Sequence, residues 1–223
     1  MIIVHYLENS RAHRALWLLE ELGLDYEIRT YKRGRDMRAP ASLKEVHPLG
    51  KSPVIEDDGV IVAESGAITS YLLDKYGQGR LVPATDDGKL RNTYWLHYSE
   101  GSAMPPLLMK LIFDAIPKLV PFFIRPFANI ISKGVKAKLI EPQLDNHFAF
   151  WESELSRDGY FAGSEFSAAD IMMSFPVEAG LSRMTAKGET GAVSKWLDSI
   201  RSRDGYKRAL ERGGAYAFSR STL

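Results

Sequence analysis

Cysteine is absent from the 223-residue chain. Disulfides, iron–sulfur clusters, cysteine-ligated zinc and a nucleophilic cysteine of the protein's own are thereby excluded. Any thiol chemistry must use a thiol that arrives with a substrate. An excess of charge of one sign is also lacking. Lys and Arg total 29 against 28 Asp and Glu, a formal net charge of +1. That balance gives no global field to hold a polyanion, so nucleic acid is not an expected partner. The five histidines, at 5, 13, 47, 97 and 147, show no i, i+4 ligand spacing, and no metal site is expected. Neither a Walker-type nor a dinucleotide-type glycine loop occurs, and there is no Gly-x-Ser-x-Gly elbow.

Long uncharged apolar runs are missing too. The most apolar stretch, 103–131, carries Lys110, Asp114, Lys118 and Arg125 with prolines spaced through it. A spanning helix needs about 20 nearly uncharged apolar residues. The stretch therefore reads as core packing or a pocket wall, with contact at a membrane surface as the other reading. The opening segment, MIIVHYLENSRAHR, has no basic n-region and does not read as a secretory signal. A cytoplasmic location is expected.

What is present suits a globular chain: 45% hydrophobic and 26% charged residues. Ile2 to Leu7 reads as a buried strand. Ala12 to Leu22 has helical periodicity and a C-terminal Gly23, and Tyr26 to Tyr31 reads as a second strand. A strand–helix–strand unit of this length suggests parallel pairing. A short helix is expected around Ser42–Val46. Two β-branched runs flank Asp57-Asp58-Gly59, a hairpin signal, and Ser65 to Tyr76 is helical. From Gly88 onward the patterns have a 3.6-residue period, over 89–113, 138–155, 168–183 and 190–203. Pro105-Pro106 should break or kink the first of these. The chain divides into an α/β part at 1–79, a linker at 80–87 and an all-helical part at 88–223. Ser167-Ala168-Ala169-Asp170 has the form of a capping box, and its loss should cost roughly 1 kcal/mol.

Three places could carry chemistry. Ser10, between the first strand and helix, is either a helix cap or a hydrogen-bond donor to a bound anion. In Lys51-Ser52-Pro53-Val54, a cis bond before Pro53 would present the Val54 backbone as a strand-like edge. Lys51 is either a plain exposed lysine or a carboxylate partner. In Glu64-Ser65-Gly66, Ser65 opens a helix, where free N–H groups favour an anion, and Glu64 offers an anion to an ammonium. The pair is either a cap with a surface acid or a seat for the zwitterionic end of an amino acid. Tyr94 to Tyr98, and His147 with Trp151, read as helix packing.

Taken in order, Ser10-Arg11 before Leu16-Trp17-Leu18-Leu19-Glu20-Glu21-Leu22-Gly23, His47-Pro48-Leu49-Gly50-Lys51-Ser52-Pro53-Val54, Glu64-Ser65 and the Ser167–Asp170 box resemble a soluble, cytosolic-type glutathione S-transferase. Ser-Arg-Ala-x-Arg and Tyr98-x-Glu100-Gly101-Ser102-x-Met104-Pro105 are most similar to a bacterial or fungal serine-type variety. The resemblance implies a thioredoxin-like N-terminal domain, an all-helical C-terminal domain and a homodimer. It implies glutathione as co-substrate, with no other cofactor, and a small hydrophobic electrophile. Carried over residue by residue, the Val54 backbone after cis Pro53, with Ser52 beside it, would meet the cysteinyl part. Glu64 and Ser65 would hold the γ-glutamyl end, and Lys51 the glycyl carboxylate. Ser10 or Arg11 would stabilise the thiolate, and the electrophile would lie near Tyr98, Ser102 and Met104. Conjugation, with peroxide reduction beside it, is the implied activity. A non-catalytic protein of the same fold that binds glutathione or apolar ligands is the alternative.

Overall fold

The computed structural model describes residues 1–34, 36, 38–183 and 191–219. Strand β1 (Ile2–Leu7) is buried along its whole length, as its unbroken apolar and aromatic run requires of a strand covered on both faces. Helix α1 (His13–Leu22) leads to β2 (Tyr26–Tyr31), which pairs parallel with β1, Ile2 opposite Tyr26. Gly23 closes α1 at φ 61°, the left-handed cap conformation that glycine adopts without a Cβ clash. Helix α2 (Ser42–Val46) precedes β3 (Val54–Asp57) and β4 (Val60–Ala63). Asp58 and Gly59 join these strands with φ 48° and 85°, the two positive values that a two-residue hairpin turn needs. The sheet order is β2-β1-β3-β4, with β3 antiparallel to both neighbours.

Helix α3 (Ser65–Leu72) follows and ends in a π-helical turn at Leu73–Gly77. The buried Asp57 carboxylate accepts from Tyr71 Oη (2.8 Å), Lys75 Nζ (2.7 Å) and Tyr76 Oη (2.7 Å). One carboxylate thus fastens the end of α3 to the end of β3. This is a thioredoxin-like N-terminal domain.

The rest is helical: α4 (Asp86–Tyr98), α5 (Met104–Leu119), α6 (Arg125–Val135), α7 (Glu141–Asp158), α8 (Ala168–Arg183), α9 (Gly191–Ser202) and α10 (Asp204–Gly213). Helix α4 starts inside the expected linker, because the Thr85 hydroxyl caps it by accepting from Gly88 N–H at 3.1 Å. The pattern expected over 89–113 is two helices joined by a π-helical turn, Ser99–Ala103. Pro105 and Pro106 fall in the first turn of α5, where a missing N–H costs nothing, so they open a helix rather than kink one. The pattern expected from 190 is α9; Thr190 itself lies outside the described residues. Among the described residues no helix is long and apolar enough to cross a membrane.

The two halves share a core. Trp17 of α1 is fully buried, 5.5 Å from the Phe166 ring and edge-on to Tyr206 at 5.1 Å. Glu21 pairs with Arg203 through two 2.7 Å bonds. The expectation that 103–131 is core packing holds only for the inner side of α5, where Met104, Pro106 and Leu107 are buried. The outer side of α5 and the large apolar residues of α6 face solvent, while Ala128 of α6 is buried.

His13 is buried between Tyr206 and Tyr216, ring centroids at 5.0 and 4.8 Å, and neither ring nitrogen has a hydrogen-bond partner among the described residues. Burial, with the nearby Arg14 charge, pushes its pKa down to about 3. The unfolded chain therefore binds a proton that the folded one does not, and stability falls as pH drops from about 6.5 to about 3. A His13→Phe variant should lack this loss. Its stability relative to wild type should rise by about 1.4 kcal/mol per pH unit over that window, read by urea unfolding. A constant difference between the two would contradict the assignment.

Candidate functional site

Three chain junctions meet at the sheet's edge: β1 to α1, the loop entering β3, and β4 to α3. The π-helical turn after α4 joins them from the helical domain. Together they wall a cavity of about 100 Å³ lined by Arg11, Lys51, Ser52, Pro53, Glu64, Ser65 and Glu100, with His47, Leu49 and Ala63 at its rim. Such a cleft seats an extended peptide laid along it rather than an enclosed ligand.

Ser52 ties two of the junctions together. Its hydroxyl donates to His5 O (2.8 Å) and accepts from Leu7 N–H (3.1 Å). The Ser52–Pro53 peptide is cis, as the resemblance implies. Val54 is buried behind Pro53, in register with His5 and Ala63, and does not line the cleft.

Ser10 is buried, and its Oγ accepts from Ala12 N–H at 3.2 Å. Its other contact is Ser52 Oγ at 3.4 Å. The Ser52 proton is committed to His5, so the Ser10 hydroxyl is the donor in that pair. Ser10 therefore performs the cap-like role and does not line the cleft, whereas the neighbouring Arg11 does.

Glu100 contacts both Arg11 and Arg14. Burial pushes its carboxyl up, but the two guanidiniums outweigh this and hold it below the usual carboxylate range. Arg14 is buried and also donates to Ser65 Oγ (3.1 Å) and Met172 O (2.8 Å), linking the cleft floor to α8. Two guanidiniums against one carboxylate leave one net positive charge in the cleft wall. Phe175 of α8 lies against both arginines, 5.9 and 5.6 Å from ring centroid to guanidinium carbon.

Glu64 has φ 74°, a backbone conformation uncommon for a residue with a Cβ, and such strain collects at ligand sites. It precedes α3, but its carboxylate makes no capping bond. It is exposed at the cleft, as is Lys51. Two cations, one free carboxylate and a helix N-terminus suit a zwitterionic peptide. Among the described residues no group of three His, Asp or Glu is placed to hold a metal.

The expected electrophile residues are not part of this cleft. Tyr98 is buried, its hydroxyl bonded to His147 and accepting from Trp151 Nε1 at 3.2 Å. Met104 packs with Leu107, Ile140 and Leu144 in a core cluster of the helical domain. Ser102 is exposed and does not line the cleft. The periodicity of an aromatic helix face is the same for core and pocket wall, and here the ring turned inward. Glu100, inside the same motif, is the residue that reaches the site. Local sequence reasoning missed Glu100, which lines the cleft, and Arg14, which is tied to it through Glu100 and Ser65; both stand inside the motifs named above, and nothing local marks the long-range ion pair between them.

Residues 1–74 match the family described as "Glutathione S-transferase, N-terminal domain", and residues 135–209 match "Glutathione S-transferase, C-terminal domain". A similar protein, "Glutathione S-transferase 1" of Saccharomyces cerevisiae, is 38% identical over 225 residues, covering 96% of each chain. The chain belongs to the glutathione S-transferase family. "Glutathione S-transferase 3" of Schizosaccharomyces pombe is 35% identical, over 95% of this chain and 88% of that one. A solved glutathione S-transferase from Actinobacillus pleuropneumoniae superposes with a TM-score of 0.78 at 31% identity, over 100% of this chain and 97% of that one. In family terms, the cleft described above lies at the edge of the thioredoxin-like domain and is completed by one helical-domain residue, Glu100.

Proposed function

We propose that the protein is a glutathione transferase that ionises the thiol of glutathione in this cleft and delivers the thiolate to a small apolar electrophile. The observation that carries the reading is the single uncompensated positive charge of the Arg11–Glu100–Arg14 group, set between the free Lys51 and Glu64 side chains. In this reading Lys51 meets the glycyl carboxylate, Glu64 the γ-glutamyl ammonium, and Ser65 with the first N–H groups of α3 the γ-glutamyl carboxylate. Ser52 and cis Pro53, which line the cleft, meet the cysteinyl part, and Val54, paired with His5 and Ala63 in the sheet, stands behind them. The thiolate then sits by Arg11. Ser10 is a secondary partner, because its proton is directed at Ser52.

The magnitudes suffice. A free thiol has a pKa of about 8.5, and lowering it by two units takes roughly 2.7 kcal/mol of preference for the thiolate. A hydrogen bond to a charged group contributes about 1.5–3 kcal/mol. The thiolate attacks an electrophilic carbon brought up on the Phe175 side, forming the C–S bond as the carbon's leaving group departs with the bonding pair. With a hydroperoxide it takes the terminal oxygen as the O–O bond breaks, releasing the alcohol, and a second glutathione reduces the resulting sulfenic acid to disulfide and water. The reading includes a homodimer and a cytoplasmic location, a compartment that keeps thiols reduced.

Glutathione titration at neutral pH, with thiolate absorbance followed in the ultraviolet, tests the proposal. Binding with ionisation is expected. Binding without ionisation supports a carrier of the same fold instead, and no binding refutes the site. Glu64→Ala should weaken glutathione binding by roughly 10- to 100-fold, the loss of one charged hydrogen bond. An unchanged dissociation constant removes Glu64 from the site.

A further inference from the structure

A second cavity is larger than the cleft. It is a groove of about 620 Å³ between α5 and α6, lined by Lys118, Arg125, Lys133 and Lys136 with Asp114 as the acid facing them. Lys136 pairs with Asp114, and among the described residues the other three cations of the groove face no acid. Ser132 also lines it, with its hydroxyl buried and without a hydrogen-bond partner.

Charge is concentrated here. Residues 104–140 hold six cations (Lys110, Lys118, Arg125, Lys133, Lys136, Lys138) and one acid (Asp114), a net charge of 6 − 1 = +5. The whole chain is +1, so the remainder is 1 − 5 = −4. The balanced total hides a strongly dipolar molecule.

The other side of the same hairpin is apolar and uncovered. Leu119 is 80% exposed, Phe122 77%, Ile130 70% and Phe127 68%, with Phe123 and Ile131 beside them. Helix α6 packs through its small residues, with Ala128 and Ser132 buried, and turns its large apolar residues outward. A helix of a globular protein does the reverse. A contiguous exposed apolar patch backed by cations marks an interaction surface. An apolar face with Lys and Arg behind it is the pattern of an element that lies in the interface of an anionic bilayer.

We propose that the α5–α6 hairpin docks the protein on an anionic phospholipid surface, Phe122, Phe127, Ile130 and their neighbours entering the headgroup–acyl boundary while the groove cations attract the lipid phosphates. Charge complementarity selects this occupant. A second copy of the chain would bring its own +5 segment to the same place, and like charges would oppose the contact.

Vesicle flotation of the purified protein tests the proposal, using phosphatidylcholine vesicles and phosphatidylcholine vesicles carrying phosphatidylserine. The protein is expected to float with the anionic vesicles and to be released by raised salt, which screens the attraction. Phe127→Ser with Ile131→Ser should abolish flotation and leave thermal unfolding and glutathione turnover unchanged, since both residues are exposed and neither lines the cleft. Each cation near an anionic leaflet is worth about fivefold in affinity, so Lys118→Ala with Lys133→Ala should weaken anionic-vesicle binding about 25-fold. Absence of flotation with the anionic vesicles overturns the proposal, as does equal flotation with both lipids. Self-association that the Phe127→Ser, Ile131→Ser variant abolishes, without vesicle binding, would assign the face to a second copy and also overturn it. Flotation itself uses no glutathione, so its result stands apart from the activity proposed above.

Discussion

Asp170→Ala is expected to destabilise the protein by about 4 kcal/mol, far more than loss of a helix cap. The Asp170 carboxylate is fully buried and accepts four hydrogen bonds. These come from Phe161 N–H (3.1 Å), Ser167 N–H (2.9 Å), Ser167 Oγ (3.3 Å) and Trp196 Nε1 (2.8 Å). Burial pushes its pKa up to about 6, against the pull of these bonds, so it is ionised at neutral pH. One side chain thereby holds the loop at Phe161, the start of α8 and the Trp196 ring of α9. Truncation strands three N–H groups and a hydroxyl. Each stranded buried donor costs about 1–3 kcal/mol, and the costs do not add fully for groups that share one partner. A chain of this size loses about 2–4 °C per kcal/mol, so the melting temperature should fall by about 8–16 °C. Thermal unfolding and urea unfolding both read the effect. A loss near 1 kcal/mol would show that the box only caps α8 and that the Phe161 and Trp196 bonds contribute little.

That contrast marks what the sequence could carry. The carboxylate half of the capping box, Asp170 reaching back to Ser167 N–H, was legible because the partners stand three residues apart, and so were the Gly23 cap, the Asp58-Gly59 turn and the parallel β1–β2 unit. Each is settled by local conformational preference. The two additional roles of Asp170 were not legible, because Phe161 and Trp196 come from other elements. The same holds in the cleft. Lys51, Ser52, Pro53, Glu64 and Ser65 were recognised as motifs, and the structure brings their side chains to one place. Glu100 stands 89 positions from Arg11 and carries no local mark. Tyr98 and Met104 misled because an aromatic or apolar residue at helical spacing fits a core and a pocket wall equally well. Residues 103–131 misled for a related reason: composition reports apolar character, but only packing decides whether a neighbour covers it. In α6 none does, and the small face rather than the large one was chosen for burial.

Arg11→Ala is expected to shift the alkaline-going limb of the kcat/KM profile upward by about two pH units and to reduce turnover at neutral pH about 100-fold, with glutathione affinity changed far less. The physical reason is the charge count. With Arg11 present, Arg14 and Glu100 cancel and one guanidinium remains for the sulfur. Without it the group is neutral, and the thiol returns toward its free pKa of about 8.5. The kcat/KM profile reports the ionisation of the reacting species before the transition state, so the activity lost at neutral pH should return at alkaline pH. A merely structural role for Arg11 would lower the whole profile without moving it. Ser10→Ala should move the profile by less than one unit, since its proton serves Ser52. It should also cost about 1 kcal/mol of stability, because the hydroxyl caps Ala12 N–H. The reverse ranking, an unmoved profile for Arg11→Ala and a large shift for Ser10→Ala, would mean that the Ser10 hydroxyl rotates away from Ser52 when glutathione binds, and the thiolate role would pass to it.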